Sequence, residues 1–171
     1  EMRTNAILSV IIAGIFIMIY IWVRFRDIKF GAGAIIALLH DVLVVLAVYS
    51  IARIPVGTTF IACMLTIVGY SINATIVVYD RIRENSHTMV KATTEEIVNT
   101  SISQTLSRSI NTSITTFIMV VMLYILGVAS IRDFSLPLMA GLVCGAYSSI
   151  CIATELWYVM KVHLGKNKAT K

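Results

Sequence analysis

Charge is what this sequence has least of. Asp, Glu, Lys and Arg together make 13% of its 171 residues, against about a quarter in soluble domains. With 58% hydrophobic residues and a mean hydropathy of +0.87, that shortage excludes a soluble globular fold and indicates an integral membrane protein embedded in lipid. Length is also scarce: at about 20 residues per span the chain accommodates about five spans and short loops, leaving no separate soluble domain. The net charge of +5 is therefore read by position along the chain, and no nucleic-acid partner is expected. Only three cysteines occur, Cys63, Cys144 and Cys151, all in apolar runs and none in a paired motif. They read as small buried hydrophobes, and neither a metal nor a cofactor is expected. There is no Gly-x-Ser-x-Gly elbow, and His40 and His87 lack a nucleophile beside them, so the chain is not expected to be an enzyme. The first apolar run is too long for a signal-peptide core and has no basic leader or small-residue cleavage site; it reads as a true span.

What is present is an all-α pattern, a polytopic membrane helix bundle over residues 1–165. Its spans fall at about 5–23, 30–52, 58–79, 106–127 and 134–160. Tyr20 and Trp22 stand at an interfacial aromatic belt. Gly31-Ala32-Gly33-Ala34 opens the second span with small residues that permit close helix approach. Residues 53–57 make a tight turn, and Asp80 to Lys91 reads as a charged loop. Thr93-x-x-Glu96 fits a capping box, so a helix starts there in water and leads into the fourth span; residues 80–104 are expected to be cytoplasmic. Pro137 is placed in the first turn of the fifth span, where a proline is tolerated. Residues 161–171 form a basic cytoplasmic tail.

The polar residues inside these spans carry the functional question. The third span holds a notch, Gly69-Tyr70-Ser71 with Asn73, and Thr66, Tyr70, Asn73 and Val77 share one helical face. Unpaired polar groups in hydrocarbon cost free energy, so the stripe is either a helix–helix contact or part of a transport site. Asp41 lies mid-span beside His40. A carboxylate there costs about 2.5–3.5 kcal/mol on insertion scales. It is either kept neutral or bonded to a hydroxyl on a neighbouring helix, or it titrates during a transport cycle. Gln104, Arg108, Asn111 and Thr115 make a polar seam along the fourth span, with Thr112 beside it. Arg108 either snorkels to the headgroups or faces protein. Gly141, Gly145 and Ser149 recur every four residues as a flat ridge for helix packing, and Gly69 offers a second small contact point. The ridge and the seam are too flat or too polar for lipid, which predicts a partner surface over both.

Orientation follows from the basic residues. Arg24, Arg26, Lys29, Arg81, Arg83, Lys91, Lys161, Lys166, Lys168 and Lys171 fall on one side, and Arg3, Arg53 and Arg132 on the other. The bias places the N-terminus outside and the C-terminus in the cytoplasm.

These residues together resemble the SecF family, the smaller partner of the SecD–SecF protein-export complex within the resistance-nodulation-division superfamily. The resemblance runs through Gly33 to Asp41, Leu65 to Asn73 continuing to Asp80-Arg81-Ile82-Arg83-Glu84-Asn85, Gln104 to Arg108, and Gly145 to Ser149, in that order. It implies a resistance-nodulation-division-like transmembrane half in the bacterial inner membrane. Its implied partners are a SecD-like subunit, the Sec translocon channel, exported polypeptide and protons. It also implies six spans and an extracytoplasmic domain between the first two; the first helix and that domain lie outside this sequence. The family pattern carries Asp where this chain has Ala74, and the family Arg matches Arg108. Ala74 cannot carry a proton. The resemblance then leaves two functions open. In one, a proton-coupled accessory subunit uses Asp41 or a partner carboxylate beside Arg108, with Ser71, Asn73, Thr112 and Thr115 ordering water. In the other, the chain is a non-conducting scaffold docking SecD and the translocon.

Overall fold

In the computed structural model the backbone is described for residues 2–25 and 27–169, and side chains for residues 8, 12, 14–25 and 27–162. Among the described residues six α-helices follow in order: α1 Met2–Phe25, α2 Ile28–Ile51, α3 Thr58–Thr88, α4 Thr94–Leu126, α5 Ala129–Tyr147 and α6 Ala153–Ala169. The last two are joined without a break by a π turn, Ser148–Ile152. Among the described residues, α2, α3, α4 and the continuous α5–α6 helix are each long and apolar enough to cross a membrane, and Gly14–Phe25 is a shorter apolar segment of α1. The all-α bundle is as the composition requires.

The helix ends follow local chemistry. Asp27 caps α2 by accepting from the Lys29 amide at 3.0 Å. At the start of α4 the Thr93 hydroxyl accepts from the Glu96 amide at 3.2 Å, and Glu96 returns the bond to the Thr93 amide at 2.8 Å. Ala52 and Arg53 end the α2 segment in a turn, with Arg53 in left-handed backbone at φ 52°.

Two boundaries differ from the sequence reading. Asp80 to Thr88 is not a loop: α3 continues through it, because Ile82 buries completely and Asn85 packs against α4 while the charges point outward. Residues 80–104 therefore comprise the end of one helix, the short Met89–Thr93 connection and the start of the next. The fifth span begins earlier than expected, at Ala129, which puts Pro137 inside α5 and beyond its first turn. The ring is buried there, and the backbone bond it cannot donate is a cost the packing absorbs.

Helix α5 is central, packed against α2, α3 and α4. Two apolar clusters stack along the bundle. At the basic end, Phe25, Phe30, Val78, Tyr79, Ile82 and Trp157 pack together, with Phe30 stacked on Trp157 at 4.7 Å between centroids. At the opposite end, Val45, Tyr49, Met64, Ile67, Leu138 and Leu142 do so. On α2 the sequence steps from Ala37 through Asp41 to Val45, and on α3 from Ile67 through Ser71 and Thr75 to Val78. A buried polar layer thus separates the two clusters.

The small-residue ridge is used inside the chain. A Cβ at Gly141 would lie 2.7 Å from Ile67 Cγ1 and 3.0 Å from Val45 Cγ2, and Ser149 is fully buried. The ridge is therefore covered by α2 and α3, and not by a partner as the sequence suggested. Within this chain nothing packs on Gly69, which is exposed, with nothing within 4 Å of an added Cβ. Of the cysteines, Cys63 is buried as expected, Cys144 is half-buried, and Cys151 faces outward from the π turn.

Candidate functional site

The polar layer is built around Asp41, which has no exposed surface. Its Oδ2 accepts a hydrogen bond from Ser71 Oγ on α3 at 2.5 Å and another from Ser148 Oγ at 2.7 Å, the first residue of the π turn. Oδ1 lies 3.1 Å from Nδ1 of His40, the preceding residue of α2, and the His40 side chain is 38% exposed. Thr75 extends the layer by donating to the Ser71 carbonyl at 3.0 Å. Gly145 forms the floor; a Cβ there would make ordinary contact, 3.7 Å from Asp41 Oδ2. Asp41 is bonded to hydroxyls of neighbouring helices, as one reading of the sequence had it. Two hydroxyl donors and a polarisable imidazole replace the water that a buried carboxylate must otherwise give up.

The second polar feature is a cleft of about 120 Å³ between α3, α4 and α5. Tyr70, Asn73, Ala74 and Val77 form one wall, Arg108, Ser109, Thr112 and Ser113 another, and Ala146 and Ser149 the third. Tyr70 donates across it to Ser113 Oγ at 2.7 Å. Three of the other hydroxyls give their protons to carbonyls of their own helices: Thr112 to Arg108 at 2.9 Å, Ser113 to Ser109 at 2.8 Å, and Ser149 to Ala146 at 3.1 Å. Their lone pairs remain as acceptors. Arg108 brings the only formal charge in the lining, and among the described residues no carboxylate lies within 4.0 Å of it. Ala74 faces the same space without an acid to offer.

The expected residues therefore divide. Asp41 and Ser71 join one cluster, and Asn73, Ala74, Arg108 and Thr112 join the other. Thr115 belongs to neither: it is exposed and donates to the carbonyls of Asn111 and Thr112. Ser148 was not singled out from the sequence, although it stands beside Ser149 in the Gly145–Ser149 stretch. A hydroxyl at matching depth in another span was the available signal.

The charged motif makes a third structure, a clasp at the basic end. Arg24 pairs with Asp80 at 2.8 Å, Arg83 donates to the Arg24 carbonyl at 3.0 Å, and Arg81 pairs with Glu84 at 2.6 Å. Arg81 and Asn85 both donate to Gln104, at 2.6 and 2.9 Å, and Asn85 also reaches Ser101 at 2.8 Å. The exposed ion pairs add little stability, about 0–1 kcal/mol each. The buried Asn85–Ser101 bond fixes α3 against α4.

Apolar helices of spanning length around a buried, hydroxyl-bonded carboxylate and an open guanidinium cleft define a multi-pass membrane protein with a polar interior. The chain belongs to the family described as protein export membrane protein SecD/SecF, C-terminal, which matches residues 1–163. It is 47% identical over 170 residues to a protein translocase subunit SecF of Alicyclobacillus acidocaldarius, covering 98% of this chain and 54% of that one. It is 46% identical over 164 residues to a protein translocase subunit SecDF of Bacillus subtilis, covering 94% of this chain and 22% of the relative. A crystal structure of SecDF in a super-membrane-facing form superposes with a TM-score of 0.92 at 41% identity, over 99% of this chain and 23% of that one. The chain thus spans about half the length of the SecF relative and under a quarter of the SecDF proteins.

Proposed function

We propose that this chain is the membrane half of an accessory subunit of the bacterial Sec translocon, working beside a SecD-like partner and the translocon channel to help exported polypeptide across the inner membrane. The carrying observation is the Arg108 cleft. An uncovered guanidinium on a spanning helix is costly in lipid, and a second set of helices bearing a carboxylate relieves that cost. The joined name SecDF among the relatives supports a partner of this kind. Proton-motive force would enter through a carboxylate that exchanges protons beside the fixed charge of Arg108, shifting the balance between two helix packings. The proposed orientation has the Met89–Thr93 connection and the C-terminus in the cytoplasm, from the ten-to-three distribution of basic residues.

Ala74 favours a second reading, the non-conducting scaffold. Proton flux measured in vesicles holding the full-length protein and its partner separates the two. Uncoupler-sensitive flux that falls with Arg108→Leu supports the accessory transporter; export assistance without any flux supports the scaffold. Orientation is checked by thiol labelling from outside intact cells, where Gly57→Cys should react and Ser86→Cys should not.

A further inference from the structure

The π turn is pinned at both ends by side chains from different helices. At its start, Ser148 donates to Asp41 of α2. Just past its end, the Ala153 carbonyl accepts from Tyr79 Oη of α3 at 2.9 Å, while the Ala153 amide closes the π turn by bonding to the Ser148 carbonyl. Gly33 permits the second pin, since a Cβ there would come within 2.6 Å of Tyr79 Oη and 2.9 Å of the Ala153 carbonyl. Trp157 lies one turn further on, 2% exposed and stacked on Phe30. A π turn carries one residue more than the surrounding helix needs, and such turns are frequent at functional sites.

We propose that Asp41 is a proton-binding site whose charge state positions this π turn, and through it the Trp157–Tyr79–Phe30 cluster at the basic end. The ionised carboxylate holds the Ser148 hydroxyl as a donor. Ser148 already has a second acceptor in reach, the Gly145 carbonyl at 3.3 Å. When Asp41 takes a proton on Oδ1, the oxygen that His40 touches, Oδ2 is left as a neutral carbonyl oxygen and a weaker acceptor for Ser148. The Ser148 hydroxyl then turns its hydrogen bond to the Gly145 carbonyl, the back-bond of an ordinary helix turn, and the first pin is released. The proton arrives from His40, whose ring touches Oδ1 on one side and is part-exposed on the other. Cys144 on α5 also lies near Asp41, and Tyr70 on α3, beside Gly145, turns its hydroxyl away to Ser113. Arg108 on α4 borders the cleft lined by Ser149, the residue after Ser148. Among the described residues no Lys or Arg lies within 4.0 Å of Asp41.

This extends the proton-coupling reading above but is tested apart from it. Full-length protein with its partner is placed in lipid nanodiscs with 5-fluorotryptophan, and the Trp157 fluorine resonance is assigned by its loss in Trp157→Phe. The carboxyl infrared band of Asp41, assigned by its loss in Asp41→Asn, is followed over the same pH range. The Trp157 resonance is expected to shift with the same midpoint as the Asp41 band, and to stay fixed in Asp41→Asn. In Ser148→Ala the band should still titrate while the resonance no longer follows; Ser148→Thr, which keeps the hydroxyl, should retain the response. A titrating band with a silent Trp157 overturns the proposal, as does a band that does not titrate, or a Trp157 shift that persists in Asp41→Asn. Should the response be found while vesicles show no proton flux, the transporter reading fails and this one stands.

Discussion

Asp41 and Arg108 pose the same problem to a membrane helix, and the chain answers it in two ways. Asp41 is solvated by its own neighbours: two serine hydroxyls and a histidine come from three segments of one chain, and none of its surface is left open. Arg108 is given a cleft of acceptors but no counter-charge within 4.0 Å among the described residues. A charge completed inside the chain belongs to its fold. A charge left open at its surface belongs to an assembly.

The sharpest test of that contrast is steric. Gly141→Leu pushes a side chain into Ile67 and Val45 at the closed end of the layer, and should destabilise the protein by about 3 kcal/mol in thermal unfolding, whereas Gly69→Leu, which meets nothing, should change it by less than about 0.5 kcal/mol. Equal effects would break the distinction between internal and open faces. Next, Asp41→Leu should cost about 1–3 kcal/mol in the isolated chain, since it strands the Ser71 hydroxyl, while Arg108→Leu should be close to neutral there and act on partner binding. A third comparison reintroduces the counter-charge. Ala74→Asp should stabilise the wild-type background but not the Arg108→Leu background, with a coupling of about 1–2 kcal/mol in a double-mutant cycle. Additive effects would mean that the two residues share a cleft without sharing an interaction. The smallest effect is expected at Thr115→Val, within about 0.5 kcal/mol in stability and without consequence for flux, because that hydroxyl only returns to its own helix.

What the sequence made legible was local. The capping box at Thr93 and Glu96 involves residues three apart, and the apolar runs declare their helices by length alone. Asp41 stood out because a carboxylate in such a run is expensive, and Ala74 and Arg108 could be placed in one cleft from spacing and resemblance. The partners of Asp41 were hidden: Ser71 is 30 residues away and Ser148 is 107 away, and serines are common enough in membrane helices that neither advertises a contact. The continuation of α3 was missed because DRIREN reads as solvated charge, while its Ile82 and Asn85 alone reveal a buried face. The π turn leaves no mark in composition, since it arises from reconciling two packing registers that only the assembled bundle contains.

That continuation of α3 has a mechanical consequence. Its 31 residues measure about 46 Å and the 33 of α4 about 50 Å, against a hydrocarbon thickness of about 30 Å. Both helices therefore project as a braced pair, closed by Met89–Thr93 and stitched by Asn85 to Ser101. A rigid rod pivoted at its far end amplifies angle into distance: tilting α3 by about 10° would carry its tip about 8 Å. Helix packings that differ by a slight rocking within the bilayer would thus be separated by a full helix radius at the surface, a stroke long enough for another protein to feel.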